Sequence, residues 1–160
     1  MFSRSLTVLF RAGSVCLLAA SLTGCSIKTM AVNAVANSLA APSDVMTRDE
    51  DPELIAQAIP FGLKTYESLL ESVPKNEALL VATCSGYTSY TYGFVLTPAD
   101  AQQFTNPTAW REGTARALNL YVRAKDFCMR AWEVRYPGIT KAMMMDPVKA
   151  VAKTKKEDVE

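Results

Sequence analysis

Residues 76–96 read NEALLVATCSGYTSYTYGFVL, and their spacing decides the fold class. Ala82, Gly86, Ser89 and Gly93 recur at intervals of four, three and four, so a helix over 76–96 gathers them into one stripe of small side chains. Tyr87, Tyr90 and Phe94, three and four apart, form an aromatic face beside it. Each glycine inside a helix costs roughly 1 kcal/mol against alanine. Close approach of a neighbouring helix along the stripe offsets that cost, which predicts tight helix-on-helix packing. The aromatic face has a second reading, as a surface for a partner or an apolar ligand.

Downstream, residues 98–107 are polar and punctuated by Pro98 and Pro107, which predicts a loop with at most a short helical turn at 99–104. From Arg116 the polar residues Arg116, Asn119, Arg123, Asp126, Arg130 and Glu133 recur at three and four, opposite Ala117, Tyr121, Ala124, Cys128 and Ala131. That is an amphipathic helix, and its charges read as a solvated face of helix-surface neighbours. Pro137-Gly138 stops it, and Asp146-Pro147 opens a second short helix over 148–156 that has few apolar residues to bury.

Upstream, Asp51-Pro52-Glu53 is a helix start, with aspartate as cap and proline in the first turn. Pro60 lies within the following pattern and predicts a kink or break near Ala58, before a second stretch over 61–72 carries Tyr66, Leu69, Leu70 and Val73 inward. Residues 26–41 suit a short helix, and 42–51 read as a tether. Glu67, Glu71 and Glu77 invite a reading as paired carboxylates for acid–base chemistry, yet they read more simply as solvated residues of helix surfaces.

The first 25 residues, MFSRSLTVLFRAGSVCLLAASLTGC, have basic residues at Arg4 and Arg11 and then an uncharged stretch, the layout of a secretory signal peptide. The apolar centre is shorter than the roughly 20 residues of a membrane span. Leu22-Thr23-Gly24-Cys25 resembles the bacterial lipobox, which implies cleavage between Gly24 and Cys25 and a diacylglyceryl group on the Cys25 thiol. The expected organisation is a signal peptide over 1–24, a lipid anchor, short helix and tether over 25–51, and a helical-hairpin domain over 52–160. Ser26 after the cysteine resembles the Gram-negative pattern that sorts lipoproteins to the outer membrane, facing the periplasm.

Removing residues 1–24 takes two arginines and no acid, so the net charge passes from +1 to −1 over the remaining 136 residues. A nucleic-acid interface needs a basic face, and none is built here. Histidine is absent from the sequence, which removes the commonest general base and every Ser-His or Cys-His nucleophile pair. No metal site or cofactor is expected, and the reading is of a protein that is not an enzyme. Cys84 and Cys128 are left in an oxidising compartment, where two arrangements are open: a disulfide between two helices, or two buried thiols packing as small hydrophobes.

Four segments together, CSIKTMAVNAVANSLA from Cys25, EDPELIAQAIPFGLKTYESLLESVP, LLVATCSGYTSYTYGFV and YVRAKDFCMRAWEVRYPG, resemble the T-component of tripartite ATP-independent periplasmic (TRAP) transporters over about residues 25–140. The resemblance implies an all-α lipoprotein whose helical hairpins stack as a tetratricopeptide-like array. It also implies binding to the transporter's periplasmic solute-binding protein and help with ligand uptake. The hairpins here do not repeat at a clean 34-residue period, and the family pattern continues with further hairpins, so the expectation is either a shortened version of the array or a truncated reading frame. A helical-repeat scaffold for envelope assembly is the alternative function, and a homo-oligomer stays open.

Overall fold

The computed structural model describes residues 27–155, and every regular element among them is helical. The lipobox with Gly24 and Cys25, the signal segment and residues 156–160 lie outside the described residues. The order is α1 (27–40), α2 (Pro52–Ser72), α3 (Glu77–Tyr90) continuing through a π-helical segment (Thr91–Leu96) into α4 (Thr97–Asp100), then α5 (Pro107–Arg135), α6 (Ile139–Met145) and α7 (Pro147–Val151).

Caps set most of these boundaries. Asp51 accepts the Glu53 and Leu54 N–H groups at 3.0 Å, Asn106 accepts Ala109 N–H at 3.2 Å, and Asp146 accepts Lys149 N–H at 3.0 Å, each before a proline in the first turn. The first turn leaves amides without helical partners, so a carboxylate or amide oxygen and a residue that lacks the N–H both fit there. The same rule explains why the helix of residue 96 does not end at Pro98: α4 restarts with proline in its first turn, and the chain stays helical to Asp100. Of the kink or break expected near Ala58, the break does not occur either. Pro60 sits inside a single helix of 21 residues, the ring costing one hydrogen bond that the packed flanks of α2 outweigh. The long helix α5 begins nine residues before Arg116, at Pro107.

The helix α3 is central. Gly86 faces Leu63 of α2 on one side, and α5 runs antiparallel on the other, with Glu77 beside Arg135, Cys84 bonded to Cys128, and Ala99 beside Gly113. Of the two arrangements open to the cysteines, the structure has the bridge, with Cα atoms 5.2 Å apart. The buried residues of the α3–α4 run are Leu79, Leu80 and then Thr83, Tyr87, Thr91, Val95 and Ala99, five residues exactly four apart. In an α-helix of 3.6 residues per turn, each step of four drifts by about 40° around the axis. The π segment removes that drift: the Thr97 N–H and hydroxyl both bond Tyr92 O, five residues back, and the wider turn keeps Val95 and Ala99 on the face that meets α5. Thr83 and Thr91, fully buried, give their hydroxyl hydrogens to Leu79 O and Tyr87 O at 2.6 Å each. A buried donor is thereby satisfied within its own helix.

The helix α1 is fixed across the start of α3 by one amide. Asn76 accepts Leu79 N–H as the cap of α3 and donates to Asn33 Oδ1 at 2.9 Å and Asn37 Oδ1 at 2.8 Å, using both its amide hydrogens on two α1 residues one turn apart. At the other end, Gly138 adopts φ +87° at the turn into α6. Glu133 accepts the N–H groups of Gly138 and Thr140 and the Thr140 hydroxyl, bonds that hold its carboxyl below the usual range. Instead of the one C-terminal helix expected over 148–156, the chain forms α6 and a shorter α7.

The close approach of α4 to α5 is tested at Gly113, where an added Cβ would stand 2.5 Å from Ala99 Cβ. Gly113→Ala should destabilise by about 1–3 kcal/mol through overpacking. Gly62→Ala, with nothing within 4 Å of the added Cβ, should stabilise by about 0.5–1 kcal/mol. Urea denaturation of the two variants checks the opposed signs. For the bridge, alkylation without reductant should leave Cys84 and Cys128 unmodified, and the double alanine variant should lose about 2–4 kcal/mol in the same assay.

Candidate functional site

Two features converge on α2: an apolar cleft on one flank and a charged cluster on the other. The cleft, of about 520 Å³, is bounded by the end of α1 with the turn after it (Leu39, Val45, Met46), by Ile59, Gly62 and Tyr66 of α2, and by Ala82, Gly86 and Ser89 of α3. Its floor is the small stripe of α3. The stripe was expected to be covered along its length by a neighbouring helix. Instead Leu63 covers it at Gly86, where an added Cβ would meet Leu63 Cδ2 at 2.7 Å, while Ser89 and Gly93 stay exposed. The reason lies in α2, whose own small residue, Gly62, faces open space instead of closing the gap. The Tyr66 hydroxyl donates to Leu39 O at 2.8 Å, satisfying a carbonyl at the end of α1 and holding the two walls together.

The aromatic residues read as a partner or ligand face do not line this cleft. Tyr87 is 4% exposed and stacks on Phe127 with ring centroids 6.0 Å apart, so it belongs to the seam with α5. Tyr90 and Phe94 are half-buried and pack on each other at 5.9 Å. The aromatic ring at the cleft is Tyr66, which the sequence marked only as inward-facing.

On the other flank, Glu67 is the centre of the charged cluster. Arg123 Nε lies 2.9 Å from its Oε1, the Tyr87 hydroxyl donates to the same oxygen at 2.6 Å, and Lys64 Nζ bonds Oε2. The Arg123 guanidinium also stands over the Tyr87 ring at 5.5 Å. Thus Glu67 is a half-buried tie between α2, α3 and α5 and not a solvated residue, and Glu77 is paired with Arg135 at 2.7 Å. Arg123 and Arg130, expected to pair along their own helix, reach across it: Arg130 donates to Pro74 O at 3.3 Å. One helix is enough to pair residues four apart, but a partner on another helix removes more of each charge from water, and only the fold brings it near.

Burial opposes the charge on Glu67, yet the hydrogen bonds from Lys64 and Tyr87 and the positive charge of Arg123 outweigh it and hold the carboxyl below its ordinary value. The Tyr87 phenol is pushed up to about 12, first by burial and then by its hydrogen bond to Glu67 and the charge there. Among the described residues no group of three or more His, Cys, Asp and Glu side chains is placed to hold a metal ion.

An all-helical domain of antiparallel hairpins enclosing an open apolar cleft defines the class of protein. Residues 48–160 match the family model described as "TRAP transporter T-component". The match is longer at the carboxy-terminal end than the sequence resemblance, which reached about residue 140. The chain belongs to the TRAP transporter T-component family. A relative from Treponema pallidum (strain Nichols), an uncharacterized protein, is 33% identical over 140 residues, which cover 79% of this chain and 42% of the relative. The chain therefore spans about two-fifths of that relative's length. No helix among the described residues is long and apolar enough to cross a membrane.

The charged cluster sets a pH dependence at both ends of the scale. A carboxyl whose folded value lies below its unfolded 4.5 stabilises the fold above that pH, and the contribution is lost as pH falls through the folded value. A phenol raised from 10.0 to about 12 stabilises fully below pH 10 and less as pH climbs toward 12. Stability measured by urea unfolding should therefore fall at both limits. Glu67→Gln should flatten the acid limb and Tyr87→Phe the alkaline one, whereas unchanged limbs in both variants would remove the cluster as their cause.

Proposed function

We propose that this protein is an outer-membrane lipoprotein, held by acyl chains on Cys25 and facing the periplasm, that binds the solute-binding protein of a TRAP-type transporter and assists ligand uptake. The observation that carries the reading is membership of the T-component family over residues 48–160. The cleavable leader ending Leu22-Thr23-Gly24-Cys25 supports the anchor, since two or more acyl chains, at about 0.8 kcal/mol per buried methylene, hold a protein at a membrane without a spanning helix. The antiparallel pairs α2–α3 and α3–α5 supply the first hairpins of a tetratricopeptide-like stack. Such stacks bind protein partners along exposed helix faces and loops, and the open cleft beside α2 offers an apolar, largely preformed surface of that kind.

A tagged full chain should recover a periplasmic solute-binding protein from envelope extract, and mass spectrometry of its amino-terminal peptide should find diacylglycerol and acyl groups on Cys25. Recovery of outer-membrane assembly factors without a solute-binding protein would favour an assembly scaffold, and an unmodified Cys25 would remove the anchor.

A further inference from the structure

The helix α1 has two apolar faces, and the domain uses only one. Its inner face, Val32, Ala36 and Ala40, packs on the hydrophobic core, with Ala36 at 0% exposure. Its outer face follows a helical stripe through Ile27, Met30, Ala31, Ala34, Val35, Ser38 and Leu39, and all seven are exposed, Ile27 at 61%, Met30 at 68%, Val35 at 52% and Leu39 at 45%. A helix on a domain surface ordinarily turns polar residues to water. Here the exposed polar residues are Lys28, Thr29, Asn37 and Ser38, against six exposed apolar ones, and the charged Lys28 stands near the start.

The chain outside the structure limits what covers this stripe. A single residue, Ser26, separates Cys25 from Ile27, so the Cys25 Cα lies within about 7–8 Å of the Ile27 Cα even when the chain is fully extended. On the anchored reading of Cys25, on which this inference rests, the sulfur sits in the lipid headgroup region and the first turn of α1 is at the membrane surface. The Asn76 amide bonded to Asn33 and Asn37, and Tyr66 bonded to Leu39 O, fix α1 to the domain, so the helix is not free to trail away as a spacer. A face about 21 Å long and 10 Å wide is also too small for a standard protein interface, which buries about 800 Å² on each partner. A lipid surface covers such a face, the helix lying in the interface plane with its outer side down and the domain above it.

We propose that the outer stripe of α1 lies on the lipid surface as a second membrane contact beside the acyl anchor, and that it sets the orientation of the whole domain. Lys28 then meets anionic headgroups. Leu39, near the end of the membrane-bound helix, borders both the stripe and the cleft, and the cleft walls Val45 and Met46 follow in the turn after it, so the cleft stands beside the bilayer and not at the far end of a tether.

The test uses acylated full-length protein in vesicles of phosphatidylethanolamine and phosphatidylglycerol carrying nitroxide-labelled lipid. Met30→Cys, Val35→Cys and, on the exposed side of α5, Asn119→Cys are each labelled with an environment-sensitive fluorophore; the bridge keeps Cys84 and Cys128 from reacting. The expected result is lipid quenching at residues 30 and 35 several-fold above that at residue 119. Vesicle flotation with equal quenching at all three positions would leave the anchor standing and overturn the docking of α1. A blue-shifted emission at 30 and 35 without lipid quenching would mean that protein covers the stripe, a second copy included, and would also overturn it. Failure to float would remove the acyl anchor, and this inference with it.

Discussion

The seam between α3 and α5 is the constraint on which the rest of the structure depends. Along it the two backbones come close because the side chains between them are small at regular intervals. Ala117, Ala124 and Ala131 recur every seven residues on α5, and Gly113 continues the seam to Ala99. Only at this separation do the Cα atoms of Cys84 and Cys128 stand 5.2 Å apart, and only then does Tyr87 stack on Phe127 instead of reaching solvent. The π segment belongs to the same requirement. A straight α-helix would turn Val95 and Ala99 away from α5, and the wider turn keeps them facing it at the cost of less regular hydrogen bonding.

From this seam the charged cluster follows. Arg123 is on α5, Tyr87 on α3 and Glu67 on α2, and the three meet because both hairpins are antiparallel and tightly closed. A half-buried carboxylate would be destabilising alone. With two cations and a phenol around it, it becomes a tie whose removal leaves the other groups without a partner. The cleft follows from the opposite condition. On that flank both α2 and α3 present small residues, so neither fills the space, and the turn after α1 closes only part of it.

Helix α1 is joined to these features at the edge of the domain. It is attached to the domain through polar bonds from Asn76 and Tyr66, which fix position and angle, and through a narrow apolar face that excludes water. A rigid attachment of this kind transmits any constraint on α1 to the entire helical domain. First helix and cleft are therefore one mechanical unit.

Much of this was legible in the residues. The helical class, the starts at Asp51 and Asp146, the long amphipathic helix and the family resemblance came from spacing, caps and segment matches, because caps and periodicity act within one or two turns of chain. The five-residue run from Thr83 to Ala99 emerged only from burial, because an α-helical template does not hold a period of four on one face, and its meaning needed the π segment. What the tertiary structure alone decided concerns partners: that Cys84 and Cys128 are bridged, that Arg123 leaves its own helix for Glu67, that Pro60 is absorbed without a break, that Tyr66 and not Tyr87, Tyr90 or Phe94 meets the cleft. Sequence determines what each helix offers on its surface. Which neighbour covers that surface, and where none does, depends on distances across the fold that no local pattern contains.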